Sequence, residues 1–187
     1  MGHSRAEKAK SRARILDAAS RIVREQGLEA LAIADLMKTA GLTHGAFYSH
    51  FSSRAELIAE AVAHALHDGE MEFSTSPGRP MADKAQRYLS AAHRDAPGRG
   101  CAVGALAMDA ARVPEVKDRL AQRLDVYVSR ASNEFGGGPE AEGRAFAIWS
   151  LMVGGISLAR LYDGERSDQV LKSALDAAEK LLGPEAV

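Results

Sequence analysis

Gly27-Leu-Glu-Ala-Leu31-Ala-Ile-Ala-Asp-Leu-Met-Lys-Thr-Ala-Gly41-Leu-Thr-His-Gly-Ala-Phe47-Tyr-Ser-His-Phe51-Ser-Ser-Arg-Ala-Glu-Leu57 is the stretch whose reading decides the fold. Ile33, Leu36 and Met37 recur at helical spacing, so residues 32 to 40 predict a short helix that Gly41 closes. Thr43 stands where a cap belongs, and His44 to His50 predict a third helix of about two turns with Ala46, Phe47 and Phe51 facing inward. Two short helices joined through Ala40-Gly-Leu-Thr43 have the length and glycine turn of a helix-turn-helix, whose second helix is presented to the major groove of DNA. Gly45 and Ala46 are small enough to let that helix approach closely, and Tyr48, Ser49 and His50 carry groups able to bond phosphate.

On the N-terminal side, Ser4 to Gln26 opens with Ser4-Arg-Ala-Glu7, a capping-box pattern. Ile15, Ala18, Ala19, Ile22 and Val23 then make one apolar stripe before Gly27 stops the helix. On the C-terminal side, Ser53-Arg-Ala-Glu56 predicts the cap of a longer fourth helix with Leu57, Ile58, Ala61, Val62, Ala65 and Leu66 on one face. Ser74 to Pro80 is rich in Ser, Pro and Gly and predicts a break. Further helices are predicted at Met81 to Asp95, Cys101 to Arg112, Pro114 to Phe135, Pro139 to Tyr162 and Ser167 to Leu182. The chain therefore reads as all-α, with about nine helices. Residues 1–56 are expected to form a three-helix helix-turn-helix DNA-binding domain, and residues 57–187 a separate helical body.

Charge follows the same division. The net charge of -1 hides nine Lys/Arg against five acids in residues 1–54, a balance of +4, which leaves -5 for the rest. A basic head on an acidic body suits a polyanion-binding module joined to a separate domain. Arg5, Lys8 and Arg12 belong to a basic arm, Arg5 to Arg14, suited to phosphate or minor-groove contacts. No apolar run reaches the roughly 18 residues of a membrane span, and the basic, polar N-terminus does not read as a signal peptide. A cytoplasmic protein with no membrane partner is expected. With a single cysteine, Cys101, no internal disulfide can form, and no Cys/His cluster has zinc-ligand spacing, so no metal or cofactor is expected.

The run from Gly27 to Leu57 resembles the DNA-binding signature of the tetracycline-repressor (TetR) family. Gly41, Gly45, Phe47, Tyr48, Phe51, Ser53 and Leu57 match its pattern. The resemblance implies that Thr43, Tyr48, His50 and Arg54 bind phosphate, that His44, Ala46 and Ser49 lie near base edges, and that the partner is double-stranded operator DNA. Leu31 and Ala32 depart from it where threonines are usual, as do His44 for a lysine and Ser52 for a basic residue. The resemblance also implies that residues 57–187 are a ligand-binding and dimerisation domain, with an effector pocket between the fourth helix and the middle of the body, where His67, Met71, His93, Met108, Tyr127, Trp149 and Met152 are the candidate lining. Their apolar character predicts a small hydrophobic or aromatic effector.

One short recognition helix reads too few base pairs alone, so a homodimer is required. The stripes Trp149, Met152, Val153 and Ile156, and Leu171, Leu175, Ala178 and Leu182, are the candidate interface, with Gly154-Gly155 permitting close packing. Residues 145 to 162 are apolar nearly all round and must be buried on several sides. Cys101 follows Arg99 at a predicted helix start, an environment that lowers a thiol pKa and suits an electrophile sensor; a small buried packing residue is the other reading. Catalysis is not expected, because a Cys101–His93 pair has no visible orienting group. A metal site built from His64, His67 and His93 has loose spacing. The expected function is a ligand-responsive repressor released by a small apolar or electrophilic effector; the alternative is a DNA-binding regulator with no small-molecule response.

Overall fold

The computed structural model describes residues 5–69 and 79–183, and every described element of regular structure is helical. The capping-box serine Ser4, and Met71 with most of the Ser74–Pro80 break, lie outside the described residues. Helix α1 (Arg5–Gln26) buries Ile15, Ala18, Ala19 and Val23, and Gly27 ends it at φ +86°. Helix α2 (Ile33–Thr39) closes in a paired motif: Leu42 N–H donates to Met37 O at 2.8 Å and Gly41 N–H to Lys38 O at 3.0 Å. That geometry needs the left-handed backbone of Gly41, at φ +70°, which a β-carbon would strain.

The third helix is a 3-10 turn, His44–Ser49. The turn closes with three-residue bonds such as Ala46 N–H to Thr43 O at 3.0 Å, the tighter form common in short helical pieces. Thr43 takes the cap position in an extended conformation but forms no side-chain cap bond, a correction to its expected role there. Helix α3 (Arg54–Gly69) begins with half of the predicted capping box. Ser53 Oγ accepts from Glu56 N–H at 3.1 Å, whereas the Glu56 carboxylate reaches back to the Ser52 N–H and hydroxyl.

The expected single helix from Met81 to Asp95 is two, α4 (Met81–Tyr88) and α5 (Ala91–Arg94). Ser90 separates them with extended backbone, and its hydroxyl donates to Arg87 O and accepts from His93 N–H, restarting the chain as a cap. A 3-10 turn at Pro97–Arg99 leads to α6 (Ala102–Ala110), with Cys101 itself in the cap position. Then follow α7 (Pro114–Glu134), α8 (Gly138–Ala159) and α9 (Gly164–Leu182), where Pro114 and Pro139 sit in first turns that have no use for their missing N–H.

One contiguous core runs through head and body. Phe47, Phe51, Leu31, Leu36 and Met37 fill it beneath the head, and α3 packs along α1. In the body α8 packs on α7 and α9. Gly155 faces α9 so closely that a β-carbon there would come within 2.6 Å of the Ala174 methyl, so this glycine serves contact within the chain.

Candidate nucleic-acid interface and body chamber

The turn His44–Ser49 is held from below and open above. Phe47 and Phe51 are buried and stacked at 5.6 Å between ring centroids, anchoring both ends of the segment. Between them His44, Gly45 and Ser49 are exposed, Ala46 is half-buried, and Tyr48 is 68% exposed with its ring edge-on to Phe47. An anchored turn that spends its aromatic residues alternately on core and solvent presents a short, rigid polar ridge. Thr43 is exposed beside it. Ser49 Oγ donates back to Ala46 O at 2.7 Å and keeps its lone pairs outward.

His50 closes the ridge, half-buried, with Nδ1 enclosed and lacking a partner. Burial, reinforced by the positive charges of Lys8 and Arg12, holds its pKa below the ordinary histidine value, so it faces the surface as a neutral imidazole at physiological pH. Arg5 and Lys8 are exposed, but they form the first turns of α1, so the basic arm is the surface of a helix and does not hang free to enter a minor groove. Arg12 pairs with Glu60 on α3 and lies over the Phe51 ring at 4.7 Å. Arg54 donates to Leu28 O at 3.1 Å, Leu31 O at 3.2 Å and Glu29 O at 3.4 Å. In the free chain both arginines thus brace the head, a structural duty that the sequence pattern did not disclose.

A hydrogen bond reinforces the packing of α1 against α6. Leu28 N–H donates to Asp109 Oδ2 at 2.9 Å across 81 residues of chain. Gly27 makes room for it, since a β-carbon there would come within 2.6 Å of the same oxygen. Nearby, the buried Arg24 donates to Ser20 O and Ala65 O and pairs with Asp68, binding α1 to α3.

Of the expected body residues, His93, Cys101, Tyr127, Trp149 and Met152 are buried in the interior. His67 is exposed and Met108 is 78% exposed, so neither lines an interior chamber; both lie on the outward faces of their helices. Tyr88 is the hub that sequence reading missed, although Met81, Ala85 and Tyr88 mark one buried stripe of α4. Tyr88 meets His93 edge-on at 4.4 Å and Trp149 edge-on at 6.0 Å, and Trp149 stacks on Tyr127 at 5.0 Å.

His93 has both nitrogens engaged. Nδ1–H donates to Tyr88 O at 2.7 Å, and Nε2 accepts from Cys101 N–H at 3.2 Å, which fixes the neutral tautomer; burial pushes its pKa down to about 4. Cys101 is 7% exposed, and burial pushes the thiol pKa up, partly offset by the Gly104 N–H, the Tyr88 hydroxyl and the Val103 N–H. Of the two readings of Cys101, burial favours the small packing residue over the low-pKa sensor, because depth outweighs the helix start. His64 pairs with Asp17 at 2.6 Å, and among the described residues no group of three or more His, Cys, Asp and Glu is placed to hold a metal ion.

The expected interface residues also move. Ile156, Leu171, Ala178 and Leu182 are buried within the chain, and Leu175 is half-buried. They are the protomer's own core, because α8 is apolar all round and its inner stripes pack on α7 and α9 first. The outward side of α8 and the turn after it instead exposes Phe146, Leu158, Leu161 and Tyr162, and a groove of about 690 Å³ runs between α8 and α9 past Leu151, Gly154, Leu158 and Val170.

An all-helical chain with a helix-turn-helix head and a larger helical body defines the class. The family profile described as bacterial regulatory proteins, tetR family, matches residues 15–61, the stretch that carries the helix-turn-helix. It is 39% identical over 62 residues to the HTH-type transcriptional regulator TtgR of Pseudomonas putida, a match spanning 33% of this chain and 29% of that one. The likeness of fold extends throughout. A TetR transcriptional regulator from Chloroflexus aurantiacus superposes with a TM-score of 0.80 at 19% identity, covering 94% of this chain and 95% of the other. A TetR-family regulator from Streptomyces coelicolor gives 0.72 at 22%, covering 93% and 95%. Among the described residues no helix is long and apolar enough to cross a membrane.

Proposed function

We propose that this chain is a homodimeric repressor that holds operator DNA through the His44–Ser49 turn and lets go when a small, largely apolar effector enters the body. The observation that carries the reading is the anchored ridge: Phe47 and Phe51 fix the turn while Tyr48, His44 and Ser49 stand exposed on it. Thr43, Tyr48 and His50 supply phosphate contacts, Arg5 and Lys8 extend them along α1, and Gly45 and Ala46 admit the base edges. Residues 1–56 act as the reading head and 57–187 as body, with α3 continuous across the division. Two copies pair through the exposed apolar face beside the α8–α9 groove, which sets the two heads at a fixed spacing. Effector binding favours a dimer geometry with the heads wrongly spaced, and the Leu28–Asp109 link carries that change from body to head. The buried, high-pKa Cys101 supports an apolar effector over an electrophilic one.

A mobility-shift titration on DNA upstream of the chain's own coding sequence tests this. A discrete band that weakens steeply with salt and is released by an apolar compound supports the repressor. A band that no compound releases leaves a DNA-binding regulator without small-molecule response, and binding no stronger than to competitor DNA contradicts both.

A further inference from the structure

Two hydrogen-bond donors lie buried in the body with no oxygen or nitrogen acceptor. The Trp149 indole N–H, on a side chain 4% exposed, has no partner, and the Tyr88 hydroxyl, on a side chain 1% exposed, has only the thiol of Cys101 within reach. They belong to one aromatic cluster, Tyr88 edge-on to Trp149 and Trp149 stacked on Tyr127. The hydroxyl lies directly over Gly104, where a β-carbon would come within 2.7 Å of it. The polar groups around it offer no good acceptor. Both nitrogens of His93 are taken, by Tyr88 O and Cys101 N–H, and the thiol of Cys101 accepts only weakly.

Burying a donor without a good acceptor destabilises the fold, and phenylalanine at position 88 would fill similar space without that cost. Such groups ask for an explanation outside stability. We propose that Tyr88 and Trp149 form a binding site for a small aromatic compound carrying a carbonyl oxygen. The indole N–H can only donate, so the missing partner must accept: the ligand oxygen lies in the plane of the indole and takes the two donors, while its ring packs against the edge of the aromatic cluster. The half-buried Arg160, which donates to His93 O at 2.9 Å and to Arg94 O at 3.1 Å, places positive charge beside the cluster and favours an electron-rich oxygen over a cation. This inference rests on the effector-responsive reading above and names the class of effector.

Trp149 is the sole tryptophan, so one indole N–H resonance in a nitrogen-proton correlation spectrum reports the site. The probes are two matched pairs, acetophenone with isopropenylbenzene and acetonaphthone with isopropenylnaphthalene, each pair differing only by C=O against C=CH2. At least one ketone is expected to move the indole proton downfield and to bind about tenfold tighter than its hydrocarbon twin. Tyr88→Phe is expected to hold or raise the melting temperature, since it removes a buried hydroxyl whose only partner is a weakly accepting thiol, while erasing most of the preference for the ketone. The inference is overturned if neither ketone binds, if twins bind equally, or if Tyr88→Phe lowers the melting temperature as loss of an internally bonded hydroxyl would. Mobility shifts on the same preparations separate the two readings: DNA binding with indifferent twins sinks only the ligand site, and ketone preference without DNA binding sinks only the regulator.

Discussion

Removing the Asp109 carboxylate tests how head and body are joined. In Asp109→Ala the Leu28 N–H loses its acceptor at 2.9 Å and no other group is bonded to it. A hydrogen bond to a charged group contributes about 1.5–3 kcal/mol when well buried; with the Asp109 side chain 27% exposed, water replaces part of that, leaving about 1 kcal/mol. Hydrogen exchange at the Leu28 amide should then accelerate about fivefold, with no comparable change at amides in the middle of α8. For a chain of this size the melting temperature should fall by about 2–4 °C. DNA affinity should change little, whereas the release of DNA by an effector should weaken, because the head no longer follows α6. Unchanged exchange at Leu28, or release as complete as in the parent chain, would refute the role given to this contact.

Three further outcomes follow from the same geometry. Tyr48→Ala, at a side chain 68% exposed, should leave stability within about 0.5 kcal/mol by thermal unfolding yet weaken binding to operator DNA about tenfold, and equal DNA affinity would remove Tyr48 from the interface. Leu158→Asp with Leu161→Asp, at side chains 54% and 74% exposed, should convert a dimer to a folded monomer in sedimentation, and a persisting dimer would place the interface elsewhere. His93 titrates near 4 when folded against 6.5 when unfolded, so the unfolded chain binds the extra proton. Its contribution is fully present above pH 6.5 and is lost as pH falls toward 4, by at most about 3 kcal/mol. His93→Gln should flatten that part of a urea-midpoint profile, and identical pH slopes in parent and variant would show that His93 is not buried neutral.

Much of this was legible in the chain because local chemistry decided it. Gly41 announces the left-handed close of α2, and Phe47 and Phe51, four apart, announce which side of the turn is buried. Elsewhere several partners competed for one residue, and sequence could not rank them. Ser90 is an ordinary polar position in a helical stripe until its hydroxyl is seen capping α5. Arg54 fits a phosphate contact by pattern, yet three backbone carbonyls of the α1–α2 connection lie within its reach. The stripes of α8 and α9 are apolar whether they face the same chain or a second copy; the fold, by packing Ile156 and Leu171 inward, leaves Leu158 and Leu161 for the outside. Cys101 shows the same limit in electrostatic form, since a helix start lowers a thiol pKa and burial raises it, and only the fold reveals the depth.

The most direct test of the central claim is a hydroxyl-radical footprint of the purified chain on the DNA upstream of its coding sequence. A two-headed dimer predicts two protected half-sites related by two-fold symmetry, spaced by about one helical turn or a multiple of it, with both lost together in Tyr48→Ala. Protection of one isolated half-site, or none above that on competitor DNA, would contradict it.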